Sequence, residues 1–251
     1  MKKKATSKVA GLILAAGRGR RLKGVNYPKS LIKINKGETL IDNIINVFEK
    51  SNINNLNVIT GYKKNKLTKH LKKKKIKYFF NSKWMKSNMV ASLIVADKVL
   101  NKNYNIISYS DIFYKKSAVN LLLKKKYDIS ITSSINWKKI WKKRFKNPLI
   151  DAETFDFDKN HFLKEIGNQP KKLSEIKGQY MGLIGISPKG WKKIKIFIKK
   201  EKSININKIS FTALLSKFLK ANPKSIKVLE YKDSFMEIDF KKDYQIKNKL
   251  I

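Results

Sequence analysis

The chain has 251 residues, 42% hydrophobic and 11% aromatic, enough to bury a core of ordinary domain size and too apolar to stay disordered. No run of eighteen apolar residues occurs, which excludes a membrane-spanning helix, and the absence of cysteine removes disulfides and thiolate metal sites. The formal net charge of +40 would suit a nucleic-acid binder, but the lysines are spread over nearly every segment beside abundant isoleucine and asparagine, and no nucleic-acid-binding motif accompanies them. That distribution reads as drift of a solvated surface, with nucleic acid an unfavoured partner. The basic stretch 1–8 leads into only a short apolar run before Gly17, a poor signal peptide, so the chain reads as cytoplasmic. Composition leaves the oligomeric state open, a homodimer included.

The continuous apolar run Val9–Ala15 predicts a buried parallel strand that ends in a glycine-rich turn. Residues 39–48 carry apolar side chains at helical spacing, with Thr39 placed to cap them. Further strands are expected at 56–60, 76–80, 105–109 and 128–133, alternating with helices at 65–71, 89–100 and 117–126. Over 136–179 the alternation weakens and turn signals appear, which predicts a small β-rich insertion on the acceptor side of the sheet. A strand at 180–186, helices at 190–199 and 209–219, and a late strand at 226–231 complete the pattern. The expected fold is α/β: a Rossmann-like, doubly wound, mixed but mostly parallel sheet, with 1–251 read as one domain.

Arginine is the informative cation. Of 58 lysines and arginines only four are arginine, and three of those fall at Arg18, Arg20 and Arg21. Guanidinium holds phosphate with a two-pronged fork that lysine lacks. They lie in Leu14-Ala15-Ala16-Gly17-Arg18-Gly19-Arg20-Arg21-Leu22, followed by Pro28-Lys29, where small residues let exposed amides approach a phosphate chain. By itself such a turn can be an ordinary strand-to-helix loop. Asp111, after the strand at 105–109, stands where open α/β sheets bind ligands, and its carboxylate suits Mg²⁺; an aspartate there can also cap a helix. His70 and His161 read as surface residues.

Taken together, Leu14 to Leu22 with Pro28-Lys29 resembles the L-A-A-G-x-G-x-R-L…P-K signature of the nucleotidyltransferases that activate sugar phosphates and phosphocholine. The resemblance implies that Gly17, Gly19, Arg21 and Lys29 hold a nucleoside triphosphate, with Arg21 and Lys29 in the catalytic role. It places Leu14, Ala15, Ala16 and Ser92 near the nucleotide. Met236-Glu237-Ile238-Asp239, then Asp243-Tyr244, is similar to the family's E-I-D-T…D-[LY] element, which makes Asp239 the second Mg²⁺ ligand beside Asp111; Phe240 departs from the usual small polar residue.

Asn81 to Leu93, with Trp84, Asn88 and Ser92, resembles the phosphocholine-type cytidylyltransferases, and Trp137, Trp141, Arg144, Asp151, Glu153 and the Gly178–Leu183 stretch resemble members assigned to phosphocholine or 2-aminoethylphosphonate. The resemblance makes Trp84, Asn88, Trp137, Trp141, Asp151, Glu153 and Tyr180 the expected acceptor residues; a cationic head group, which wants aromatic faces and a carboxylate, suits the three tryptophans with Asp151 and Glu153. The expected activity is transfer of CMP from CTP to phosphocholine or 2-aminoethylphosphonate. The alternatives are a sugar-1-phosphate nucleotidyltransferase using UTP, dTTP or GTP and, more remotely, a basic nucleic-acid-binding module.

Overall fold

The computed structural model describes residues 8–19, 21–22, 24–35, 37–240 and 242–243; Arg20 and Tyr244, which belong to the motifs above, lie outside them. The first half runs β1 (Val9–Ala15), β2 (Lys33–Asn35), β3 (Glu38–Thr39), α1 (Leu40–Lys50), β4 (Leu56–Thr60), α2 (Lys64–His70) and β5 (Ile76–Phe80). It continues through α3 (Met89–Val95), α4 (Asp97–Leu100), β6 (Tyr104–Tyr109), β7 (Ile112–Tyr114), α5 (Lys116–Lys124) and β8 (Ile129–Ser134). After α6 (Trp137–Arg144) come β9 (Phe155–Phe157), β10 (Leu163–Ile166) and β11 (Gln179–Ile186). The last elements are α7 (Pro188–Lys200), α8 (Phe211–Ala221), β12 (Lys227–Tyr231) and β13 (Phe235–Glu237).

Seven strands form one sheet in the order β12-β8-β11-β6-β1-β4-β5. β1 pairs in parallel with β4 and β6, β4 with β5, and β8 with β12, while β11 runs antiparallel to both β6 and β8. The mixed, mostly parallel sheet expected from the strand–helix alternation is the one observed. One buried cluster lies on the face covered by α1, α5 and α6, and another beneath α3, α7 and α8. Both faces being covered is why β1 and β4 are buried along nearly their whole length, β4 carrying Asn57 and Thr60 inside as well.

The α1 start shows how local chemistry sets an element boundary. The Asp42 N–H donates to Thr39 Oγ1 at 3.3 Å and the Thr39 N–H donates to Asp42 Oδ2 at 3.0 Å, a reciprocal capping box. Burial would lift the Asp42 carboxyl, but the Thr39 hydrogen bonds and His70 outweigh it and hold it below its usual range. A carboxyl depressed in the folded state contributes stability above its unfolded pKa, near pH 4, and loses it as the pH falls below that. Thr39→Ala is accordingly expected to cost about 1 kcal/mol at pH 7 in a chemical melt. Asp42→Asn is expected to show a stability deficit that shrinks toward pH 3, and a deficit constant with pH would contradict the box.

Two expectations are corrected. The helix expected over 89–100 breaks at Ala96 (φ −95°, ψ 17°), because Asp97 starts a new turn with its carboxylate fixed by the Trp191 Nε1–H at 2.7 Å and by Lys195 at 2.8 Å. The segment 136–179 is less β-rich than expected: it opens on α6, and β9 with β10 form only a two-stranded sheet. Trp137, Ile140, Trp141 and Arg144 are the buried residues of that helix, an i, i+3, i+4, i+7 face. No helix among the described residues is long and apolar enough to cross a membrane.

Candidate active site

The carboxyl ends of β1, β4 and β6 converge on the glycine-rich turn. Leu14, Ala15 and Ala16 are buried at the strand end, and the Tyr62 N–H donates to the Ala16 carbonyl at 2.9 Å. A Cβ on Gly61 would lie 2.5 Å from the Ala16 carbonyl oxygen and 2.6 Å from Trp84 Cβ, so the β4 loop supports the turn from beneath. A Cβ on Gly17 would meet no atom, which leaves that amide edge open to a ligand, whereas Gly19 (φ +69°) lies against the Lys29 side chain. Ser92 is buried and accepts from Asn81 Nδ2 at 3.0 Å.

The β7–β13 ribbon assembles the charged centre. Glu237 sits opposite Ile112, and the Ile238 N–H donates to the Asp111 carbonyl at 3.0 Å. One oxygen from each of Asp111, Glu237 and Asp239 falls within 4.8 Å of the others. The Lys29 ammonium stands among them, 2.8 Å from Asp111 and 2.5 Å from Asp239, and Arg21 reaches Asp239 at 2.7 Å. Burial would pull the Lys29 ammonium down, but Asp111, Asp239 and Glu237 outweigh it and push it up. Burial, reinforced by Asp239 and Asp111, drives the Glu237 carboxyl well up; burial would also lift Asp239, but Lys29 and Arg21 hold it down. Three carboxylates crowd together here, and Asp111 Oδ1 is buried without a hydrogen-bond partner. An all-oxygen set with an orphaned oxygen fits a hard divalent cation.

A cavity of about 230 Å³ opens from this centre between β6, β11 and the start of α8, with Asp151, Glu153, Tyr180, Gln179 and Thr212 in its wall. The Gln179 amide bonds the main chain of Glu153 in both directions, at 3.1 and 2.6 Å, fixing the strap that carries both acids. Burial pushes both carboxyls up; Arg144 partly offsets this at Asp151, and Thr212 at Glu153. β11 bulges here: its register shifts between Tyr180 and Ile184, where Gly182 adopts φ +75°.

The candidate residues therefore divide. Arg21, Lys29, Asp111, Asp151 and Asp239 come together, and Glu153, Tyr180 and Trp141 line the adjoining cavity. Trp84 does not: it packs on Tyr62 with ring centroids 5.3 Å apart, beneath the glycine-rich turn. Trp137 is buried in the core against Trp141, and Asn88 caps α3 while donating to the Lys208 carbonyl at 3.2 Å. His70 and His161 pair with Asp42 and Glu230, away from this cluster. Glu237, Asp243 and Thr212 were not anticipated as site residues. Glu237 was findable, since it lies two residues before Asp239 in an extended segment and so faces the same way. Thr212, distant in sequence, gave no local signal.

The chain matches the MobA-like NTP transferase domain over residues 11–139. It is 33% identical over 248 residues to the CTP:phosphoglutamine cytidylyltransferase of Campylobacter jejuni, covering 94% of this chain and 97% of that protein. Over 118 residues it is 30% identical to the choline-phosphate cytidylyltransferase of Streptococcus pneumoniae, 46% of this chain and 51% of that one. The solved CTP:phosphocholine cytidylyltransferase of Streptococcus pneumoniae superposes with a TM-score of 0.70 at 19% identity, covering 97% of this chain and all of that one. A glycine-rich turn over a lysine and clustered acids, on a sheet shared with such enzymes, leads to one conclusion: the chain belongs to the MobA-like NTP transferase family of nucleotidyltransferases.

Proposed function

We propose that the chain is a Mg²⁺-dependent cytidylyltransferase that moves CMP from CTP to a small phosphorylated acceptor bearing an ammonium group. The observation that carries this reading is Glu153. In a chain with net charge +40, it is a largely buried carboxylate in the cavity wall that no lysine or arginine reaches among the described residues. Such a group is suited to receive a cation from a ligand. CTP as donor is supported by the names of both curated relatives, and phosphoglutamine, named for the relative matched along nearly the whole chain, heads the candidate acceptors. Phosphocholine and 2-aminoethylphosphonate belong to the same cationic class. The aromatic faces here are already engaged, Trp141 by the Arg144 guanidinium at 4.9 Å and Tyr109 edge-on by Tyr180 at 5.8 Å. That favours a primary ammonium, which gives N–H bonds to Glu153, over a trimethylammonium, which needs open aromatic faces.

In the proposed reaction an acceptor phosphoryl oxygen attacks the α-phosphorus of CTP. The bond from that phosphorus to the bridging oxygen of the β-phosphate breaks, and pyrophosphate leaves with the electron pair. The ionised acceptor is already a nucleophile, so no general base is required. Lys29 and Arg21 neutralise charge on the phosphates, and the open backbone at Gly17 lets them approach. Asp111, Glu237 and Asp239 would hold the Mg²⁺, which when bound supplies Lewis-acid stabilisation of the phosphate oxygens.

The test is pyrophosphate release, crossing CTP, UTP, GTP, ATP and dTTP with phosphoglutamine, phosphocholine, 2-aminoethylphosphonate and glucose 1-phosphate. Turnover confined to CTP and the ammonium acceptors supports the reading, and turnover with glucose 1-phosphate alone overturns it. Glu153→Gln is expected to raise the acceptor KM about 10- to 100-fold, the loss of one charged hydrogen bond, while leaving the CTP KM unchanged. An unchanged acceptor KM would remove Glu153 from recognition.

A further inference from the structure

Arg144 is the one arginine outside the nucleotide loop, in a chain that otherwise writes positive charge there as lysine. It leaves α6 with its side chain fully buried, an unusual place for a charge unless something needs its shape. Its Nε donates to Asp243 Oδ1 at 3.0 Å and its Nη2 to Asp243 Oδ2 at 3.2 Å, a two-pronged pair with both partners buried. The same Asp243 Oδ2 accepts the main-chain N–H of Asp239 at 2.9 Å and of Phe240 at 2.8 Å. The far side of the guanidinium faces the charged centre, with Nη2 3.7 Å from Asp239 and Nη1 3.6 Å from Asp151 and 3.9 Å from Glu237. Nη1 makes no hydrogen bond of its own. Trp141 and Phe145 hold the plane in place at 4.9 and 5.1 Å.

We propose that Arg144 is a positioning residue: it clamps Asp243, and through it the main chain of Asp239, so that Asp239 and Glu237 stay aimed at Asp111 to receive a divalent cation. This rests on the reading of those three carboxylates as the metal ligands. A guanidinium suits the role because its rigid fork fixes Asp243 while its remaining edge offsets the charge of Asp239 and Glu237 without entering the space between them. Lysine would supply the charge as a point and leave the turn free to rotate. The clamp also accounts for Phe240, which packs edge-on against Phe145 at 6.0 Å and closes the outer side of the same turn.

The test is Mn²⁺ binding to the protein alone, followed by electron paramagnetic resonance, with thermal melts run in parallel. Arg144→Lys is expected to weaken Mn²⁺ binding about 10- to 100-fold, as losing an outer-shell partner of a metal site does. Ile194→Ala, in the core under α7 and away from this site, is expected to lower the melting temperature while leaving Mn²⁺ affinity unchanged. Should Arg144→Lys fail to fold, Asp243→Asn keeps an acceptor for the Asp239 amide while loosening the fork, and is expected to weaken Mn²⁺ in the same sense. Wild-type Mn²⁺ affinity in the clamp variant would overturn the positioning role alone. Failure of the wild-type protein to bind Mn²⁺ would overturn the metal-ligand reading and the clamp with it.

Discussion

Lys29→Met is expected to lower kcat about 10²- to 10³-fold and to cost roughly 3–5 kcal/mol of stability, the two losses arising from one cause. The Lys29 ammonium is nearly buried and lies at 2.8 and 2.5 Å from Asp111 and Asp239. Methionine keeps the stem and removes the charge, leaving Asp111, Glu237 and Asp239 with Arg21 and Arg144 as the remaining cations. Removing one partner of a buried ion pair costs more than the pair contributes, because the other partner stays desolvated. In the proposed reaction the same ammonium neutralises phosphate charge. Thermal melts with and without Mn²⁺ separate these effects: the cation is expected to raise the melting temperature of the variant more than that of the wild type, by replacing the missing charge. A variant as stable and active as the wild type would contradict both roles.

Gly182→Ala is expected to cost about 2–4 kcal/mol and to damage acceptor binding more than nucleotide binding. Gly182 occupies the left-handed region at φ +75°, and a Cβ there would lie 2.7 Å from Tyr109 Cδ2 and 2.8 Å from its Cγ. Tyr109 cannot easily yield, since its ring is set edge-on against Tyr180 and its hydroxyl is buried. The added methyl therefore either straightens the β11 bulge or drives Tyr109 into the cavity that both tyrosines line. Steady-state kinetics are expected to show the acceptor KM rising well beyond any change in the CTP KM. A normal melting temperature with an unaltered acceptor KM would show that the bulge does not shape the cavity.

The parallel core was readable because β1 is an unbroken apolar run, and the α1 boundary because Thr39 and Asp42 act through local hydrogen bonds. The glycine-rich turn stood out for a compositional reason: three of the four arginines of a lysine-rich chain fall there. The acceptor side was harder. Trp137 and Trp141 were read by residue type, as faces for a cation, when their spacing with Ile140 and Arg144 was the stronger signal and built a helix. Trp84 sits near the acceptor motif in sequence but packs on Tyr62, because the chain turns at Asn81 to bring it under the β4 loop. Asp243 entered the sequence reading only as part of the C-terminal element, without a role of its own. Its pairing with Arg144 spans 99 positions, a contact no local pattern can disclose.

In the proposed function this chain joins CMP to a phosphorylated acceptor at the Asp111–Glu237–Asp239 centre. The most direct measurement is mass spectrometry of the products formed from CTP, phosphoglutamine and Mg²⁺, run with the wild-type protein and with Asp239→Asn. The expected result is a CDP-linked conjugate with the wild type and almost none with the variant. Conjugate in equal yield from both proteins, or CTP left intact or cleaved to free CMP by the wild type, would contradict it.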